Sequence, residues 1–88
     1  MLLALTKQSA FNAATASAEL IKKILRECPL AEIHTRELPV ADEDVSLEIT
    51  LPLTMNEIYG VRERIYEWIL ELQERHGVLI LASAIPKA

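Results

Sequence analysis

Residues 45–85 read VSLEITLPLTMNEIYGVRERIYEWILELQERHGVLILASAI, and this stretch decides the fold. Val45–Leu51 alternates strictly between apolar and polar residues, which predicts a strand with one wet face. Residues 54–57 (TMNE) have the pattern of a capping box, so a helix should begin there and end just before Gly77, its C′ residue. Val78–Ile85 is almost wholly apolar, which predicts a last strand covered on both faces.

The core faces of the two expected helices follow from apolar residues at helical spacing. In the helix before Gly77 this face consists of Ile58, Val61, Ile65, Ile69 and Leu72, with Trp68 at its border. An earlier helix should run from about Ser9 to Glu27, because Pro29 disfavours helical geometry in the residue before it. Its central stripe is predicted to be Phe11, Ala14, Ala18, Ile21 and Leu25, widened on one side by Ala10, Ala13, Ser17, Leu20 and Ile24.

The remaining segments complete the expected order of elements. Ala31–Leu38 predicts an edge strand that ends at Pro39, and an acidic loop follows at residues 41–44. Leu2–Thr6 is expected to form a short strand, because capping candidates follow it directly; one helix from the start is the alternative.

The predicted fold is an α+β two-layer sandwich of order (β)αββαβ, with two helices on one face of an antiparallel sheet. This order is the ferredoxin-like split βαβ arrangement. The alternative is αββαβ, with the N-terminal segment helical. Residues 1–88 form a single domain in either case.

Charge and composition narrow the classes of partner. The 88 residues are 51% hydrophobic and carry 9 Lys+Arg against 13 Asp+Glu, a net charge of −4. Residues 1–29 sum to +2 and the remainder to −6, so a basic protein is a more plausible partner than nucleic acid. No stretch has the roughly 18 apolar residues of a membrane span. The N-terminal apolar run is too short for a signal peptide, and a single cysteine fits a reducing, cytoplasmic setting.

No motif of catalysis or of cofactor binding is found in the sequence. Acidic residues at 42–48 superficially suggest a calcium loop, but Leu47 and Leu53 occupy the places that need Gly and a bidentate Glu. Cys28 follows a helix C-terminus, which disfavours a thiolate, and is interpreted as a small buried hydrophobic residue. We expect no catalytic residue, no metal ion and no cofactor. The sequence favours a non-enzymatic protein over an enzyme.

The second helix has more apolar surface than its core stripe requires. Met55, Tyr59, Tyr66 and Leu70 cluster on one flank, beside an acidic ridge formed by Glu63, Glu67, Glu71 and Glu74. Tyrosine and aliphatic residues rimmed by charge are typical of protein interfaces. Three interpretations stay open. The patch packs beneath the first helix or the N-terminal segment, it forms an interface with another protein chain, or its side chains are exposed without a partner.

Two functional hypotheses follow. The first is a non-enzymatic protein-interaction or adaptor domain that acts as a homo-oligomer, because an apolar last strand at a sheet edge also needs a cover and a second subunit would supply it. The alternative is a small-molecule sensor or small enzyme whose pocket forms between subunits or on the open sheet face, where the candidate ligand-binding residues are His34, Arg36, Glu48 and Thr50.

Overall fold

The computed structural model describes residues 2–36 and 42–87, with side chains from Ala10 onward. Two helices and three strands follow one another along the chain: α1 (Leu2–Glu27), β1 (Glu32–Thr35), β2 (Val45–Leu51), α2 (Met55–His76) and β3 (Ile80–Pro86). The architecture is α+β. The predicted bounds of β2 and α2 agree with the observed ones. Both β1 and β3 begin later than predicted, at Glu32 instead of Ala31 and at Ile80 instead of Val78. The expected extension of β1 to Leu38, Pro39 after it and the start of the acidic loop at Ala41 lie outside the described residues.

The sheet is mixed, so the expectation of an antiparallel sheet is wrong. Its strand order is β1-β2-β3. β1 pairs antiparallel with β2, whereas β2 pairs parallel with β3 in the register Leu47↔Ala82 and Ile49↔Ala84. Because α2 carries the chain from the end of β2 back to its beginning, the two strands it joins run in the same direction.

The ferredoxin-like order is not found in the described residues, because the N-terminal segment is helical. Leu2–Thr6 is the start of α1, in agreement with the alternative αββαβ order. No Gly or Pro interrupts the chain before Pro29, so nothing forces a break near the capping candidates. β2 and β3 also bond each other directly, which leaves no gap between them for a further strand.

The core lies between the two helices and one sheet face. All five residues predicted as the core stripe of α2 are buried, and Trp68 is half-buried at the edge. The predicted stripe of α1 is rotated from the real one. Ala16, Leu20 and Ile24 are buried, whereas Phe11 and Leu25 are exposed.

The two helices pack antiparallel, and ion pairs and a hydrogen bond between them define how they align. Arg64 Nε lies 2.9 Å from Glu27 Oε1, and Arg75 Nη1 lies 2.8 Å from Glu19 Oε2. Asn12 Nδ2 donates to the backbone oxygen of His76 at 3.2 Å, so α2 ends opposite Asn12. None of the helices among the described residues is both long and apolar enough to cross a membrane.

Candidate functional site

The aromatic patch of α2 lies on the surface. Tyr59, Tyr66 and Leu70 are 57%, 61% and 63% exposed, and Met55 is also exposed. The interpretation that this patch packs beneath the first helix is therefore wrong. The physical reason is the position of α1, which covers the opposite flank of α2 through the Arg64 and Arg75 ion pairs with its own glutamates.

Tyr66 of this patch borders a groove between α2 and the outer edge of β3. The groove has a volume of about 330 Å³ and is lined by Arg62, Ile65, Tyr66, Ile69 and residues 82–85. Arg62 links the groove to the rest of the patch, because its guanidinium carbon lies 5.9 Å from the centre of the Tyr59 ring. One wall of the groove is thus formed by side chains of α2, Tyr66 among them, and the other by residues 82–85 of β3.

Odd-numbered residues of β3 turn their backbone polar groups toward β2. Val45 N donates to the Leu79 oxygen at 3.1 Å, and Lys87 N donates to the Leu51 oxygen at 2.8 Å. Because the backbone groups of successive strand residues point to opposite sides, those of the even-numbered residues point outward, into the groove.

Two side chains of α2 bond the outward backbone groups at the ends of β3. Gln73 Oε1 accepts from the Ile80 N–H at 2.9 Å. Arg62 donates to the Ala84 oxygen twice, from Nε at 2.9 Å and from Nη2 at 2.6 Å. Pro86 has no N–H to satisfy. These two residues act as caps on the edge of β3.

The middle of the same edge is left open. Within residues 2–36 and 42–87, no group bonds the outward Ile80 C=O, Ala82 N–H, Ala82 C=O or Ala84 N–H. No described strand pairs with this side of β3. An unpaired strand edge is a template for another strand.

The expectation that β3 is covered on both faces is wrong. Ile80 and Ala84 are buried against the helical layer, but Leu79, Leu81 and Ile85 are exposed on the other face. The reason is that both helices lie on one side of the sheet, so none of the described elements covers the side chains of the odd-numbered residues. The free edge therefore carries apolar side chains on both sides.

The acidic ridge is exposed along the outer surface of α2. Glu71 Oε1 pairs with Arg75 Nη2 at 2.5 Å, and Arg75 is shared with Glu19. In the described part of the chain Glu63, Glu67 and Glu74 have no ion-pair partner. These three carboxylates are available to a basic group.

The four residues of the alternative ligand site lie on the open sheet face. His34 is opposite Glu48 and Glu32 opposite Thr50 in the β1–β2 register, and Arg36 Nη2 bonds Glu48 Oε1 at 2.6 Å. A neighbouring cavity of about 230 Å³ is lined by Arg36 but not by His34, Glu48 or Thr50. The four side chains thus share an exposed face without enclosing a common pocket.

Histidine and cysteine side chains take structural positions. His76 Nε2 lies 3.1 Å from Glu19 Oε1, and Cys28 is half-buried against the core. Among the described residues, no group of three His, Cys, Asp or Glu side chains could hold a metal ion.

The two caps, Arg62 and Gln73, were not predicted from the sequence. Arg62 and Gln73 are 11 residues, or about three helical turns, apart, and both lie on the same flank of α2 as the tyrosines. This spacing could have grouped them with the patch. Their bonds to β3 have no sequence signal, because the contact joins residues distant along the chain. Comparison with protein-family models, with curated proteins and with solved structures gave no match.

Proposed function

We propose that this chain is a small, non-enzymatic protein-interaction domain that acts as a homo-oligomer. One observation carries the proposal: the exposed patch of Tyr59, Tyr66 and Leu70 reaches the open, apolar edge of β3 through Tyr66, which lines the groove beside that edge. Side chains of this kind anchor protein interfaces, and strand edges supply backbone bonds to a partner. The single cysteine favours the cytoplasm as the place of action.

The acidic ridge gives the assembled domain a second surface, suited to a basic protein. Glu63, Glu67 and Glu74 lie on the solvent side of the patch with their charges unpaired in the described part of the chain. A row of like charges raises the rate of encounter with a lysine-rich or arginine-rich segment. Burial of the patch would then supply the affinity, with the glutamates supplying orientation.

Replacing Tyr66 by Ala tests the patch. We expect Tyr66→Ala to lower the average mass measured by light scattering while the melting temperature stays within about 2–4 °C of the parent, because the ring is mostly exposed. Phe11→Ala is the matched control, since Phe11 is an exposed aromatic residue of α1 away from the patch. A lower melting temperature at unchanged mass would assign Tyr66 to the stability of the monomer and overturn the proposal.

A further inference from the structure

We infer that two copies of this chain associate through their β3 strands, paired antiparallel about a two-fold axis at Ala82. The three-stranded sheets would join into one continuous sheet, with the two copies of α2 side by side above the junction. This inference rests on the self-association in the proposed function, and it names the surface and the register.

The open backbone groups of β3 complement a second copy of themselves. In an antiparallel pair with Ala82 opposite Ala82, each Ala82 N–H donates to the other copy's Ala82 C=O, and each Ala84 N–H donates to the other copy's Ile80 C=O. These bonds use the four outward groups that lie open in the middle of the edge. The Ile80 N–H and the other copy's Ala84 C=O also face each other in this register, and they are already bonded to Gln73 and Arg62.

Registers shifted by two residues use the open groups less well. Pairing Ala82 with Ile80 of the second copy leaves the Ala82 C=O without a donor, because the Ile80 N–H opposite it is bonded to Gln73. Pairing Ala82 with Ala84 leaves the Ala82 N–H without an acceptor, because the Ala84 C=O opposite it is bonded twice to Arg62. The register centred on Ala82 leaves none of these open groups unpaired, so the caps favour it.

The helical layer of the pair would bury the aromatic patch. Gln73 bonds β3 at Ile80 and Arg62 bonds it at Ala84, so Ala82 is level with the middle of this helical segment, between Tyr66 and Leu70. The two-fold axis would bring Tyr66 of one copy against Leu70 of the other. Removal of these exposed side chains from water provides the apolar burial that an isolated strand pairing lacks.

The open face of the joined sheet gains apolar contacts from the same register. Residues whose numbers sum to 164 lie opposite each other, which places Leu79 opposite Ile85 of the second copy. Both are exposed in the single chain. Cross-strand apolar pairs stabilise antiparallel sheets, so one register satisfies the backbone, the helical patch and the exposed side chains of β3 together.

Ala82→Pro tests this pairing without disturbing the bonds between β3 and β2. The outward Ala82 N–H is lost and the ring fills the space of the incoming strand, while Pro86 shows that this side of β3 accommodates proline. Ala82→Ser is the control, because it keeps the N–H. We expect the parent and Ala82→Ser to have twice the 9.9 kDa chain mass at high micromolar concentration. We expect a dissociation constant at least about ten-fold higher for Ala82→Pro.

Hydrogen exchange of the parent keeps the test decisive if Ala82→Pro fails to fold. The Ala82 and Ala84 amides should exchange more slowly as concentration rises, whereas the Leu81 amide, which faces β2, should change little. A folded Ala82→Pro dimer, or Ala82 and Ala84 exchange independent of concentration in a dimeric parent, would overturn the β3 pairing and leave self-association standing. A parent that stays at the mass of one chain would overturn both.

Discussion

Thr54 and Glu57 begin α2 through reciprocal hydrogen bonds. The Glu57 N–H donates to Thr54 Oγ1 at 3.3 Å, and Glu57 Oε1 accepts from the Thr54 N–H and hydroxyl, each at 2.9 Å. The two bonds that the Glu57 carboxylate accepts, first the one from the Thr54 N–H and then the one from the Thr54 hydroxyl, hold the pKa of this carboxyl below its ordinary value. The ionised carboxylate therefore stabilises the fold at neutral pH, and this contribution is lost as the pH falls through the lowered folded pKa.

Thr54→Ala removes the hydroxyl and leaves the backbone N–H. We expect the free energy of unfolding to fall by about 1 kcal/mol, as for other N-cap replacements. The Glu57 pKa, followed by NMR titration, should rise partway toward its ordinary value because the larger of the two hydrogen-bond contributions remains. Thr50→Ala, on the open sheet face, is the matched control. An unchanged Glu57 pKa in Thr54→Ala would show that the hydroxyl plays no part in the shift.

The helix α1 has a broad apolar side, and only part of that side is buried. Leu20 is fully buried, whereas Leu25 is 40% exposed, although both lie on the broad apolar side of the helix. We expect Leu20→Ala to lower the free energy of unfolding by about 2–5 kcal/mol. Leu25→Ala removes the same atoms at a site that solvent reaches, so its loss should be under about 1 kcal/mol. Chemical denaturation measures both, and equal losses would contradict the orientation of α1.

The net charge of the chain predicts opposite salt dependences for self-association and for the binding of a basic protein. Each chain carries −4, and β3 pairing would bring two acidic ridges together. Raising ionic strength from about 0.01 M to 0.15 M shortens the Debye length from about 30 Å to 8 Å. We expect self-association, followed by light scattering, to tighten over this range. Binding of a lysine-rich peptide, followed by calorimetry, should weaken. Self-association that weakens with salt would indicate attractive ion pairs across the interface and contradict this placement of the ridges.

Elements with local signals could be predicted from the sequence alone. The alternation in Val45–Leu51, the capping box and Gly77, which has the left-handed conformation, were sufficient to bound β2 and α2. The core stripe of α2 was also predictable, because branched apolar residues recur there at helical spacing and charged residues fill the opposite side. The grouping of the tyrosines beside the glutamates followed from the same periodicity.

Which surfaces meet was set by contacts between elements. Alanine-rich α1 has a broad apolar side, so the part of that side that is buried depends on packing against β2 and α2. The direct pairing of β2 with β3 made the sheet mixed, and the side chosen by α1 left the tyrosine flank exposed. The Arg62 and Gln73 caps likewise exist only because α2 lies over β3. Each of these features joins residues distant along the chain, and local periodicity contains no information about such distances.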